Sequence, residues 1–205
     1  MTDELERRLG AASVPALDRE ALRARVASRA AEEGLLDVAY GSLDSPLGQL
    51  TVIVTPRGLV RLVYPGEAVE THLDELAERV SPRILRAPER TDDVRRQLEE
   101  YFAGRRHAFD VPIDWRLVRG FAAAVLRATA RIPFGSVSTY RDVAAAAGSP
   151  RAYRAAGNAL GSNPIPIIVP CHRVLHAGGG LGGYTGGLDR KRLLLRLEGV
   201  VQAQA

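Results

Sequence analysis

This chain is poor in cysteine. Cys171 is the only one in 205 positions, which excludes an internal disulfide and makes a poor start to a metal cage. A lone thiol fits a reducing compartment, so a cytoplasmic protein is the expectation. Long apolar runs are missing too. No stretch of about 18 apolar residues could span a bilayer, so no membrane partner is expected. The opening Met1–Arg8 is charged and lacks the apolar segment of a secretory signal. Acidic residues are scarce in the second half: from Phe121 onward only Asp142, Asp189 and Glu198 face ten arginines and lysines. Residues 1–120 reverse the balance, with 21 acidic and 18 basic residues. A basic half that holds the thiol suggests a polyanionic partner, although a solvated basic face explains most such excesses.

What is present is specific. Cys171 sits in Pro170-Cys171-His172-Arg173-Val174, after Asn163-Pro164-Ile165-Pro166-Ile167-Ile168-Val169. Prolines at 164, 166 and 170 remove donors and fix φ, which predicts a stiff extended segment rather than a helix or central strand. Such a segment carries a nucleophile to a fixed place. An unperturbed thiol is only about 3% thiolate at pH 7, so a base is needed, and His172 is the candidate. Adjacent residues in regular structure point apart, so contact needs an irregular backbone or a bridging water. Glu198, the only glutamate after residue 120, is the natural third group to orient the imidazole. The competing assignments are a buried small hydrophobe for Cys171 and a surface helix end for Glu198.

The chain divides into three segments. Residues 1–36 form a helical extension with a predicted helix over Leu17–Glu33, stopped by Gly34. Leu22 and Val26 are too few for a deep-core face. Residues 37–115 read as a small α/β scaffold. Strands at 38–40, 50–54 and 59–64, parted by Pro/Gly turns, signal an antiparallel meander. Helices follow over 70–80 and 92–102. After a connection at 105–120, residues 116–205 are mainly helical. Helices over 121–131 and 140–147 lead to a third that starts with Ser149 as N-cap and Pro150 as first residue. The last pair is a helix-turn-helix candidate. Small residues on the third helix allow close approach to a groove, and Arg151 and Arg154 can reach phosphates or enter a base stack.

Several motifs occur in order: Ile132-Pro133-Phe134-Gly135-Ser136-Val137-Ser138-Thr139-Tyr140, the helix pair, Gly161-Ser162-Asn163-Pro164, Pro170–Val174, and Gly183-Tyr184-Thr185-Gly186-Gly187. Together they resemble the O6-alkylguanine-DNA alkyltransferase family of direct-reversal DNA repair proteins. The likeness covers 121–199 closely. It extends more weakly over 38–115 through Asp44-Ser45-Pro46-Leu47-Gly48 and 98–102. It implies a ribonuclease H-like α/β N-terminal domain and a mainly α, winged-helix-like C-terminal domain.

It also implies irreversible, stoichiometric transfer of an alkyl group from O6-alkylguanine to Cys171 after base flipping, with O4-methylthymine as a further candidate substrate. His172 would take the thiol proton through a water, Glu198 would hold the imidazole, and Asn163 would brace the turn before the nucleophile. Tyr140 would press on a phosphate or donate to guanine N3, and Arg154 would fill the gap left in the duplex. Pro166, Tyr184, Thr185 and Gly186 would wall the alkyl pocket, while backbone groups of Cys171 and Val174 read the guanine edge. Arg141, Ser149, Arg151, Ala152, Ala155 and Gly157 would meet DNA in the minor groove. The expected partner is double-stranded DNA bearing O6-alkylguanine, met by a monomer associated with the nucleoid when acting, with cooperativity and any partner of residues 1–36 left open. No cofactor is expected. No metal is expected either, since zinc-bearing relatives use cysteines absent here.

The chain departs from the pattern at Tyr153, where many relatives have a small residue, and at Leu126, where tryptophan is frequent. Two rival classes remain. A Cys171-His172-Glu198 hydrolase would turn over an ester or amide, and leaves the basic helix pair unexplained. A non-enzymatic sensor of alkylated bases would carry tryptophan in place of Cys171.

Overall fold

The structure is a computed structural model that describes residues 19–200. Its first helix, α1 (Arg19–Glu32), ends before Gly34, whose positive φ of 68° turns the chain. The start of the predicted helix at Leu17 lies outside the described residues. α1 is more than a loose extension: Ala27 is buried against Leu36, Ala39 and Ala87, while Leu22 and Val26 stay 45% and 52% exposed.

Three β-branched runs form β1 (Val38–Leu43), β2 (Leu50–Thr55) and β3 (Gly58–Val63), an antiparallel meander as expected. After α2 (Val69–Arg79), a short β4 (Ile84–Arg86) joins β1 in parallel, which makes the sheet mixed, in the order β3-β2-β1-β4. α3 (Asp92–Phe102) follows. The connection at 105–120 is tied down: Leu59 N donates to the Pro112 carbonyl at 2.8 Å, and Asp114 N donates to the Leu59 carbonyl at 2.8 Å. Gly58 makes this approach possible, because a Cβ there would lie 2.1 Å from the Pro112 oxygen.

The second half is mainly helical: α4 (Gly120–Thr129), α5 (Tyr140–Ala146), α6 (Tyr153–Gly161) and α7 (Leu188–Leu197). Short strands β5 (Ser138–Thr139) and β6 (Val174–Leu175) pair in parallel. α6 packs on α4 and α5 through Ala156, Ala159 and Leu160, the one-turn spacing of a buried helix face. It begins later than expected. Ser149 does not cap it and Pro150 is not its first residue; Ala152 N donates to the Ser149 carbonyl at 2.9 Å, closing a turn with Pro150 in its second position. That position suits the fixed φ of proline, and the turn outcompetes an extra helical turn.

One apolar core crosses both halves. Leu62, Tyr64, Leu98 and Tyr101 from the first half join Val125, Leu126, Ile165, Val169, Cys171 and Leu194 from the second. Burying each large aliphatic side chain contributes about 1.5–3 kcal/mol. The thiol is therefore built into the seam that holds the halves together. Among the described residues no helix is long and apolar enough to cross a membrane.

Candidate active site

The segment before Cys171 is not extended. It is buried from Pro164 to Pro170 and folded into successive tight turns. Ile168 N donates to the Pro166 carbonyl at 2.9 Å across Ile167, whose φ of 72° is the only positive value at a non-glycine among the described residues. Cys171 N donates to the Val169 carbonyl at 2.8 Å across Pro170 (φ −82°, ψ 64°), an inverse γ-turn. The prolines remove donors that such turns could not satisfy. Asn163 supplies the missing partners: its Nδ2 donates to the Val169 carbonyl at 2.8 Å and its Oδ1 accepts from Ile165 N at 3.0 Å. The strained Ile167 backbone, worth about 1–3 kcal/mol, persists because Asn163 and the core overdetermine it.

Cys171 opens a 3₁₀ turn, Cys171–Arg173, and its Sγ accepts from Asn163 Nδ2 at 3.1 Å. Burial pushes the thiol pKa up, against the opposing pull of the Asn163 hydrogen bond and the Lys191 charge. A resting thiol results, so ionisation must accompany use.

Behind it, His172 is fully buried and its Nε2 lies 2.8 Å from Glu198 Oε1. Glu198 is no surface residue; it caps the C-terminus of α7 and is 4% exposed. Four donors converge on it. Tyr101 Oη donates to Oε1 at 2.7 Å, Arg173 grips both oxygens at 2.8 and 2.9 Å, and His172 completes the set. Burial would raise the Glu198 pKa, but the hydrogen bonds from His172 and Arg173 bring it down to about 2. Burial depresses His172, so the imidazole is neutral and donates Nε2–H to the carboxylate. Its Nδ1 is buried without a protein partner, a free lone pair on the residue that follows the nucleophile.

The expected residues fall into two sets. Tyr140, Arg141, Arg154, Gly157, Tyr184 and Thr185 line an open cleft of about 730 Å³ that reaches Cys171. Pro166, Asn163, Tyr184, Thr185 and Gly186 line a second cavity of about 450 Å³, also reaching Cys171 and running between the halves. Thr185 and Gly161 border both, joined by a 2.5 Å hydrogen bond from Thr185 Oγ1 to the Gly161 carbonyl. Ser149, Arg151 and Ala152 lie apart around a shallow depression, and Ala155 is exposed on α6 without lining the cleft. Val174 N donates to the Cys171 carbonyl, and the Val174 carbonyl accepts from Lys191 Nζ at 2.7 Å. The backbone groups assigned to the guanine edge are thus already engaged, leaving only second lone pairs on the carbonyls.

Some site residues escaped the sequence. Lys191 is fully buried, donates to the Val174 and Leu181 carbonyls, and is lowered to about 8 by that burial. A signal existed: it is the only lysine among 28 basic residues. His176, tilted against the Tyr140 ring at 5.3 Å, also lines the cleft. Tyr64 and Tyr101 come from the half read as pure scaffold; nothing in their local pattern marks them.

Residues 38–115 match the family model described as 6-O-methylguanine DNA methyltransferase, ribonuclease-like domain. Residues 120–200 match that family's DNA binding domain. A methylated-DNA–protein-cysteine methyltransferase of Methanosarcina barkeri is 37% identical over 161 residues, covering 78% of this chain and 96% of the relative. That of Mycolicibacterium paratuberculosis is 40% identical over 161 residues, covering 78% and 92%. The crystal structure of Mycobacterium tuberculosis OGT in complex with DNA superposes with a TM-score of 0.67 at 40% identity, covering 82% of this chain and 96% of that one.

Proposed function

The chain belongs to the 6-O-methylguanine DNA methyltransferase family, and from that premise we propose that it is a methylated-DNA–protein-cysteine methyltransferase repairing O6-methylguanine directly. The observation that carries the mechanism is the unpartnered Nδ1 of a buried imidazole, held by an ionised Glu198 next to Cys171. His172 and Cys171 share no direct hydrogen bond in the structure. One bridging water would pass the thiol proton to Nδ1, while Glu198 stabilises the imidazolium that forms.

The thiolate then attacks the alkyl carbon. The S–C bond forms, the C–O6 bond breaks, and the departing guanine takes up the proton that left the thiol. Tyr140, which lines the cleft, would donate as the base gains charge, and the alkyl group would lie toward Pro166, Tyr184 and Thr185. Because a stacked base hides O6 from the sulfur, the nucleotide must flip, at a cost of a few kcal/mol. Exposed Arg154, beside Tyr153 on α6 with its guanidinium 5.9 Å from that ring, would hold the vacated space. The product thioether sits on an sp³ carbon that water does not hydrolyse, so each molecule acts once. O4-methylthymine, presented in the same duplex frame, is a further candidate substrate.

The test mixes the protein with duplex DNA carrying one O6-methylguanine and measures intact and peptide masses. One added methylene equivalent on the Cys171 peptide is expected, saturating at one per protein and absent in Cys171→Ala. Repeated turnover, or no mass gain, overturns the proposal.

A further inference from the structure

The N-terminal half touches the reaction centre at its loop as well as at its core. β3 runs directly beneath the site: Leu62 N donates to the Pro164 carbonyl at 2.9 Å, one residue past Asn163. Two residues further along the chain, Tyr64 Oη lies 2.7 Å from Tyr184 Oη, with the rings edge to face at 6.4 Å. The loop carrying Tyr184 is clamped onto Tyr64 from two sides. Arg190 lies 4.8 Å over the Tyr64 ring and donates to the carbonyls of Pro65 at 2.7 Å and Gly186 at 3.0 Å. A Cβ on Gly186 would come within 2.8 Å of the Tyr64 ring and 2.9 Å of the Tyr184 ring. Glycine is what lets the loop close this tightly.

We infer that Tyr64 is a positioning residue for the transfer, acting through Tyr184 as the outer member of a two-phenol relay that ends on the Cys171 sulfur. Tyr184 lines both cavities that reach the sulfur, and at rest its hydroxyl is paired with Tyr64 while Asn163 holds the Cys171 Sγ. When the thiol is protonated, either phenol can donate to the other. When the sulfur carries charge, Tyr184 must turn its proton to sulfur, and its oxygen then accepts from Tyr64. Chained hydrogen bonds polarise one another, so the outer phenol strengthens the inner one's hold on the thiolate. No proton leaves either phenol, since burial keeps both well above their ordinary range.

This inference rests on the proposed role of Cys171 as acceptor, and the experiment separates the two. Tyr64→Phe keeps the ring under Arg190 and removes only the hydroxyl. Two rates are followed against pH: methyl transfer from O6-methylguanine in duplex DNA, and carboxamidomethylation of Cys171 by iodoacetamide, both read by peptide mass. In Tyr64→Phe both should slow by about threefold to tenfold at neutral pH, the range one such hydrogen bond carries. Both profiles should move to higher pH, while the melting temperature and DNA affinity stay close to those of the parent. In a Tyr184→Phe background the same change should do nothing more. An unmoved pH profile, or an undiminished effect when Tyr184 is already phenylalanine, overturns the inference. If the parent takes no methyl group from DNA, the acceptor reading fails instead, and the iodoacetamide profiles still decide the relay.

Discussion

The two sides of Cys171 are built in opposite ways. Behind it, His172, Arg173, Lys191 and Glu198 are all buried, and the Glu198 carboxylate is filled with donors. In front, Arg141, Tyr153 and Arg154 are exposed and held by little beyond one cation–ring contact. A buried ionic network holds together when its charges are paired, and here the charges are, while the neutral His172 keeps one open nitrogen, Nδ1. An open basic face costs nothing to leave unpaired until phosphates arrive. Under the proposed function, the chemistry is therefore assembled before DNA binds, and recognition would be completed by DNA itself.

Breaking the rear network should be the most damaging change. Glu198→Gln leaves the Arg173 guanidinium buried without its counter-charge, which costs about 3–5 kcal/mol. Denaturant unfolding should show that loss, together with loss of transfer; retained stability would mean the network is not a unit. Acid probes the same group at slightly smaller scale. The Glu198 pKa is depressed in the folded state to about 2 from the ordinary 4.5. As pH falls through that window the unfolded chain takes up the proton first, so stability present above about 4.5 is lost on the way to 2. The drop amounts to about 3 kcal/mol and is read by unfolding at stepped pH against a neutral-pH reference. A flat acid limb would contradict the assignment. The front should behave differently. Arg154→Ala, a surface change, should alter stability by no more than about 0.5 kcal/mol, yet slow transfer on duplex more than on the free base O6-methylguanine. Equal slowing on both would remove Arg154 from the extrusion step.

The same contrast explains what the sequence revealed. Strands and helices at 38–43, 50–55, 92–102 and 140–146 announce themselves by β-branched runs, turn residues and glycine stops, because local preference and tertiary packing agree there. The buried His172–Glu198 pair next to Cys171 in the chain was legible through scarcity, with one cysteine and one late glutamate to choose from. The route to Cys171 was misread because proline content does not distinguish an extended strand from a string of tight turns; the Asn163 hydrogen bonds decide that. Ser149 and Pro150 carried a good helix-start pattern, but a turn satisfied the same backbone groups. Tyr64 and Tyr101 sit in ordinary strand-end and helical contexts. Their importance comes from the core shared by the two halves, which no local pattern encodes.

The solitary lysine has a practical side. Lys191 lies wholly inside the fold, so amine-reactive coupling finds no side chain to attack on the native protein. Tethering chemistry aimed at lysine reports unfolding rather than surface, and the folded molecule must be immobilised by other groups.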